Sequence, residues 1–293
     1  MQMKELSLLT FQKKFDTIKK CETYLFKQRW QKGYICPVCG NKEYYYIKTR
    51  KQYECSKCKH QTSITAGTVM HGTRTSLKKW FWAIYLSSTD KGGISALNLQ
   101  KKIRVSYPTA WLMLHKIREA MKARDAEYQL AGLVEIDEAY FGGKDEDNKR
   151  GRGTNKTKVL VQVSTNEKGK PQFAKLSIIE NVKERTVLKE IQQNIKEGSS
   201  IKTDGYNAYN NLSSKGYKHE TIDYLMKWVH IVISNAKTFI KGTYHGACDE
   251  HLQSYLDEFS YRFNRRFWEG QLFNRLIAAC VDCETITYKD LTK

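Results

Sequence analysis

The sequence predicts a multi-domain α/β protein, with a small metal-bound ribbon and a helix-turn-helix placed ahead of a mixed-sheet domain. Three observations predict it. Two CxxC pairs stand in the spacing CxxC-x15-CxxC; two helical patterns meet at the break Val105-Ser106-Tyr107; and beyond Ala131 the apolar period changes from helical to strand-like. Within that last region an acid, Asp137, interrupts a short apolar run, and a second short strand ends on Asp204.

Charge narrows the partners. Fifty Lys and Arg against 31 Asp and Glu give +19 over 293 residues, a self-repelling balance that suits a polyanion such as nucleic acid. The basic residues run through folded-looking segments and do not gather on one amphipathic helix, which argues against a membrane surface. No apolar run approaches the ~20 residues of a membrane span, and the Lys- and Glu-rich start does not read as a signal peptide. A cytoplasmic protein is expected.

In chain order, residues 1–30 come first: Phe11, Phe15, Ile18, Cys21, Tyr24 and Leu25 recur mostly three or four apart, as amphipathic helices require. Residues 31–62 hold Cys36, Cys39, Cys55 and Cys58. Two knuckles of this spacing place four thiolates at the corners of a tetrahedron, a closed structural zinc site with no position open for catalysis. The Tyr- and Lys-rich stretch between them reads as the hairpin of a zinc ribbon. Cys280 and Cys283 form a third CxxC without a partner pair, so helix packing explains them better than a metal.

Ser76 is placed as the N-cap of an apolar helix carrying Leu77, Trp80, Phe81, Ile84 and Tyr85. Residues 73–126 then have helix-turn-helix length, and Pro108 sits in the opening turn of the second helix. That helix offers an apolar stripe through Leu114 and Ile117, with Lys116 and Arg118 as candidate phosphate contacts. An ordinary helical hairpin has the same grammar; the ribbon upstream and the net charge favour DNA binding.

From 130 to 270 the order is strand (134–141), hairpin (158–164 and 171–179), helix (185–196) and a strand ending at Asp204, with Gly205 permitting the turn. Residues 271–293 are left as a tail. Three strands, a helix and a fourth strand is the order of the RNase H-like fold, in which the first and fourth strands are neighbours and Asp137 meets Asp204. The strand hiding Val134 and Ile136 turns Asp137 to its other, solvent-facing side. Two carboxylates that close repel unless a cation lies between them, and Mg²⁺ fits an all-oxygen set completed by phosphate.

These residues, together with Arg29-Trp30, Gly151-Arg152-Gly153-Thr154, Thr203-Asp204-Gly205, Trp228-Val229-His230, Ser234-Asn235-Ala236-Lys237, Gly242-Thr243-Tyr244-His245-Gly246, Tyr255-Leu256-Asp257-Glu258-Phe259 and Arg262-Phe263-Asn264-Arg265-Arg266, give the chain a resemblance nearly end to end. It resembles the insertion-sequence transposases of the DDE superfamily that carry an N-terminal zinc ribbon. The resemblance implies an enzyme that cuts at the ends of its own element and joins the freed 3′ hydroxyls to target DNA. It implies two catalytic Mg²⁺ ions, replaceable by Mn²⁺, a homo-oligomer on DNA, and a place at the nucleoid of a bacterial cytoplasm.

One departure concerns the third metal residue. Many relatives carry Glu five positions after a histidine, where this chain has Asn235 after His230. Asn235 is placed first, as a neutral oxygen ligand beside Asp137 and Asp204, in an Asp-Asp-Asn variant of the site. His230 competes, because Lys237 lies seven residues on along the same helical face; Glu250 and Glu258 remain as further options. Arg152 in the loop after the first strand, and Arg262, Arg265 and Arg266, are candidate phosphate contacts. Two other classes compete: an RNase H-like nuclease acting on other substrates, and a zinc-ribbon and helix-turn-helix regulator without catalysis. The regulator leaves Asp137 and Asp204 without a purpose.

Overall fold

The computed structural model describes residues 6–143, 154–223, 226–246 and 249–292. It divides into two compact units, one running to Ala123 and resuming at Trp268, the other spanning Arg124–Phe267.

The first unit opens with α1 (Leu8–Lys14) and α2 (Ile18–Arg29), capped by the hydroxyls of Ser7 and Thr17, which accept from the amides of Thr10 and Lys20. A three-stranded antiparallel sheet follows, β1 (Tyr44–Ile47), β2 (Gln52–Cys55) and β3 (Gln61–Ser63). Trp30, Tyr34, Tyr44 and Tyr53 pack ring against ring around it. Ser76 stands at the N-cap of α3 (Leu77–Thr89), although its hydroxyl makes no cap bond. The expected apolar stripe of that helix is buried.

Next come α4 (Ala96–Ile103) and α5 (Tyr107–Ala126), with Arg104 in the left-handed region ending α4 and the Ser106 hydroxyl accepting from Thr109 N in the first turn of α5. Residues 271–293 are not a tail. They form α9 (Leu272–Asp282) and α10 (Tyr288–Leu291), and Phe273 enters the aromatic cluster of Phe11, Phe15, Tyr24 and Phe81. The Tyr24 hydroxyl donates to Asn274 Oδ1 at 2.6 Å, and Cys280 is fully buried in α9, as expected of a packing cysteine. Each such ring taken from water stabilises the fold by about 1.5–3 kcal/mol.

The second unit is built on a five-stranded sheet in the order β6-β5-β4-β7-β8, from β4 (Leu133–Phe141), β5 (Thr157–Thr165), β6 (Pro171–Ile179), β7 (Ser200–Thr203) and β8 (Lys218–Thr221). The first three are antiparallel; β7 runs parallel to β4, and β8 to β7. This is the RNase H-like arrangement. Between β6 and β7 lies α6 (Glu184–Asn194), and α7 (Lys227–Tyr244) and α8 (Asp249–Arg265) close the unit.

Both faces of the sheet are covered. Val134, Ile136, Leu160 and Ile201 pack with α6 and Tyr209 on one side. Ala139, Phe141, Val159, Val161 and Val163 pack with α7 and α8 on the other. The expectation of a solvated second face for β4 is therefore corrected: alternation puts Glu135 and Asp137 on the side of α7, under a second helical layer.

Candidate metal centres

The ribbon site comes from two matching turns. Cys36 N donates to Asn41 O and Gly40 N returns to Cys36 O; Cys55 N donates to His60 O and Lys59 N returns to Cys55 O. Gly40 and Lys59 both take positive φ, 71° and 59°, so each knuckle folds its backbone back under its own cysteine pair. All four Sγ atoms lie within 4.8 Å of one another, with Cys36–Cys58 and Cys39–Cys55 at 3.5 Å. A tetrahedron of thiolates at ~2.3 Å from zinc has an edge of ~3.8 Å, so the donor set fits a closed structural zinc site.

The second centre forms where β4 and β7 part. Their parallel ladder ends at Glu135↔Lys202, and Asp137 and Asp204 each lie two residues beyond that pair, Asp204 just past the carboxyl end of β7 and Asp137 at the middle of β4, which runs on against β5. Ligand crevices of open α/β sheets form at such ends. Asp204 is held by its own turn, its Oδ1 accepting from Tyr206 N at 3.2 Å. Gly205 has no positive φ, so the turn does not require glycine in the way its sequence suggests.

Asp137 is held at one oxygen and faces an imidazole at the other. Its Oδ1 accepts from the Glu138 amide at 2.7 Å, and its Oδ2 lies 3.7 Å from His230 Nε2 on α7. Burial pushes its carboxyl up to about 6, with the charges of Glu138 and Asp204 adding to the rise and the Glu138 amide and His230 opposing it. Lys237, two turns along from His230, holds its ammonium 5.6 Å from the Phe141 ring centroid, and burial lowers its pKa, with Lys156 lowering it further and Asp137 opposing.

The structure places His230 at Asp137, with Asp204 beside the same strand, and sets Asn235 on a different side of α7 from His230. At about 100° per residue, five positions put Asn235 some 140° around the helix from His230, and its side chain is exposed. Glu258 is engaged elsewhere, accepting from Arg262 and from the Tyr244 hydroxyl. Among the described residues only the four cysteines form a cluster at the spacing of a single ion, so the acids and the imidazole surround a wider space.

The candidate phosphate contacts fare differently. Lys116 and Arg118 are on the buried side of α5, 7% and 3% exposed, and burial lowers the Lys116 pKa; the exposed cations of α4, α5 and the turn between them are Lys101, Lys102, Arg104 and Lys122. Arg152 lies outside the described residues. Arg262 bonds Glu258, Arg265 pairs with Asp125 at 2.5 Å over the Tyr261 ring, and Arg266 donates to the carbonyls of Pro171, Gln172 and Phe263. Those three guanidinium groups bind the unit together internally, in place of the phosphate role expected of them.

Two acids of the Val134-Glu135-Ile136-Asp137-Glu138 run, which is part of the family resemblance, have no role assigned from the sequence. Glu138 points to the opposite face from Asp137 and accepts the Tyr209 hydroxyl at 2.6 Å in a buried pair. Glu135 accepts the amides of Trp228 and Val229, both at 2.9 Å. Strand alternation was the available signal: it separates Glu138 from Asp137 and groups Glu135 with it.

Known families match both parts. The model of the transposase zinc-ribbon domain matches residues 18–61, and that of the ISXO2-like transposase domain matches residues 129–264. A relative from Halobacterium salinarum, described as an uncharacterized protein in transposable element ISH50, is 28% identical over 219 residues, covering 68% of this chain and 71% of its own length. With the ribbon cysteines inside one match and the Asp137 centre inside the other, the chain joins a transposase zinc-ribbon domain to an ISXO2-like transposase domain.

Proposed function

We propose that this chain cleaves DNA at the ends of its own mobile element and joins the freed 3′ hydroxyls to target DNA. The observation that carries the reading is the placing of Asp137, Asp204 and His230 where β7 ends beside the middle of β4, with Lys237 on the same helical face as His230. An RNase H-like domain alone does not decide the substrate; the transposase families matched over both units favour element ends.

Asp137 and Asp204 are the carboxylates that hold divalent cations, with His230 in place of Asn235 as the third ligand. The donor set fits: oxygen ligands suit Mg²⁺ or Mn²⁺, and the imidazole favours Mn²⁺ over Mg²⁺. Bound there, such ions supply an activated water or 3′ hydroxyl and stabilise the leaving oxygen of an in-line displacement at phosphorus. Burial raises the Asp137 carboxyl to about 6, and a cation bound there would hold it ionised. Lys237 offers a partly desolvated ammonium to the phosphate being cut. Lys101, Lys102 and Arg104 hold the DNA backbone beside the turn between α4 and α5, and copies of the chain assemble on paired ends.

Strand-transfer reactions with the inverted repeats that flank the gene test the reading. The wild type yields joined product in Mg²⁺; Asp204→Ala binds the ends and yields none. Joining by Asp204→Ala at the wild-type rate would remove the basis of the proposal.

A further inference from the structure

Helix α7 carries His230 to Asp137, yet its own first turn is incomplete. The N-cap, Met226, has no side-chain acceptor, and no acid lies in the first turn. The first amides of a helix need partners from elsewhere. Those of Trp228 and Val229 both go to one atom, Glu135 Oε2, at 2.9 Å each. The acceptor belongs to β4, two residues before Asp137 and on the same face of the strand, so the cap ties α7 to the strand that bears the metal carboxylate.

The donors immediately precede His230 in sequence. A charge-assisted, two-donor bond at the positive end of the helix dipole is stronger and more directional than an ordinary contact. The helix end has one further anchor beside it, Trp228 Nε1 donating to the Gly169 carbonyl at 2.5 Å. Glu135 thus fixes the register of the first turn of α7 against β4, and this sets the 3.7 Å approach of His230 Nε2 to Asp137 Oδ2.

We propose that Glu135 is a positioning residue of the metal centre, holding the α7 N-terminus so that His230 and Asp137 face one cation. This rests on the metal-centre reading above. The test is Mn²⁺ binding to the zinc-loaded full chain, followed by electron paramagnetic resonance, for Glu135→Ala, Glu135→Gln, His230→Ala and the Glu135→Ala/His230→Ala double variant.

Loss of a residue that orients a metal ligand costs roughly 10- to 100-fold in affinity, and Glu135→Ala is expected in that range. Glu135→Gln keeps an acceptor oxygen at the same reach and binds nearer to wild type. In the His230→Ala background Glu135→Ala has no further effect, because the ligand it positions is gone. An equal loss in both backgrounds, or none in either, would overturn the positioning role. If Glu135→Ala does not fold, Glu135→Asp, shorter by one methylene with its charge kept, replaces it in the same cycle with the same outcomes. Wild-type Mn²⁺ binding by Asp137→Ala would overturn the metal centre and the positioning role together; loss there with no loss in the Glu135 variants would overturn only the latter.

Discussion

His230 Nε2 stands 3.7 Å from Asp137 Oδ2, joining α7 to β4 at the point where β4 and β7 separate. The pair makes a demand on the protein without cations. Asp137 is 18% exposed, and burial holds its carboxyl near 6 against an ordinary 3.8.

A carboxyl whose folded pKa is raised contributes stability that is complete below its unfolded pKa and lost as pH rises through the folded one. Between about pH 4 and pH 6 the cation-free fold therefore weakens on account of Asp137, by up to about 3 kcal/mol. Asp137→Asn is expected to recover this at pH 7.5, raising Tm without added Mg²⁺ or Mn²⁺. Added Mn²⁺ then raises the Tm of the wild type and leaves that of Asp137→Asn in place. Chemical denaturation at pH 5 and pH 7.5 measures both effects; a less stable Asp137→Asn at pH 7.5 would contradict them.

Zinc removal separates the units. Structural zinc contributes folding free energy outright, and Cys55→Ser leaves three thiolates for a four-coordinate site. Hydrogen exchange should then lose protection over β1–β3, while β4, β5 and β6 keep theirs. Binding of element ends falls with the ribbon. Full protection of β1–β3 in Cys55→Ser would mean that the sheet stands without its metal.

The internal arginines and the exposed lysines should behave oppositely. Arg265→Ala leaves Asp125, 14% exposed, without its guanidinium and is expected to cost about 3–5 kcal/mol of stability, with the salt dependence of DNA binding unchanged. Lys101→Ala with Lys102→Ala leaves stability nearly intact and lowers the slope of log K against log salt by roughly 0.9 for each phosphate no longer neutralised. Affinity titrations at several salt concentrations, paired with denaturation curves, distinguish the two sets.

The sequence carried what is local or periodic. Cysteine spacing gave the ribbon, because a tetrahedral ion constrains four sulfurs whatever surrounds them. Strand order gave the neighbours β4 and β7, and so Asp137 beside Asp204. For the third position proposed here the sequence offered a partial guide: Lys237 shares a helical face with His230, whereas Asn235 does not. Lys116, Arg118 and Arg265 were illegible as buried groups, since amphipathic patterning assigns cations to solvent and the partner of Arg265, Asp125, lies far away in sequence. Residues 271–293 read as a tail, since nothing local announced the rings of Phe11 and Phe81 that receive Phe273 of α9.

Which side chains make the cutting centre is measured most directly by 3′-end cleavage of a labelled element end. Asp137→Ala, Asp204→Ala and His230→Ala, each shown to be folded and to bind the end, are expected to lose nearly all cleavage in both Mg²⁺ and Mn²⁺. Asn235→Ala, at an exposed position about 140° around α7 from His230, should cleave at close to the wild-type rate. Normal cleavage by His230→Ala together with an inactive Asn235→Ala would contradict the centre described here.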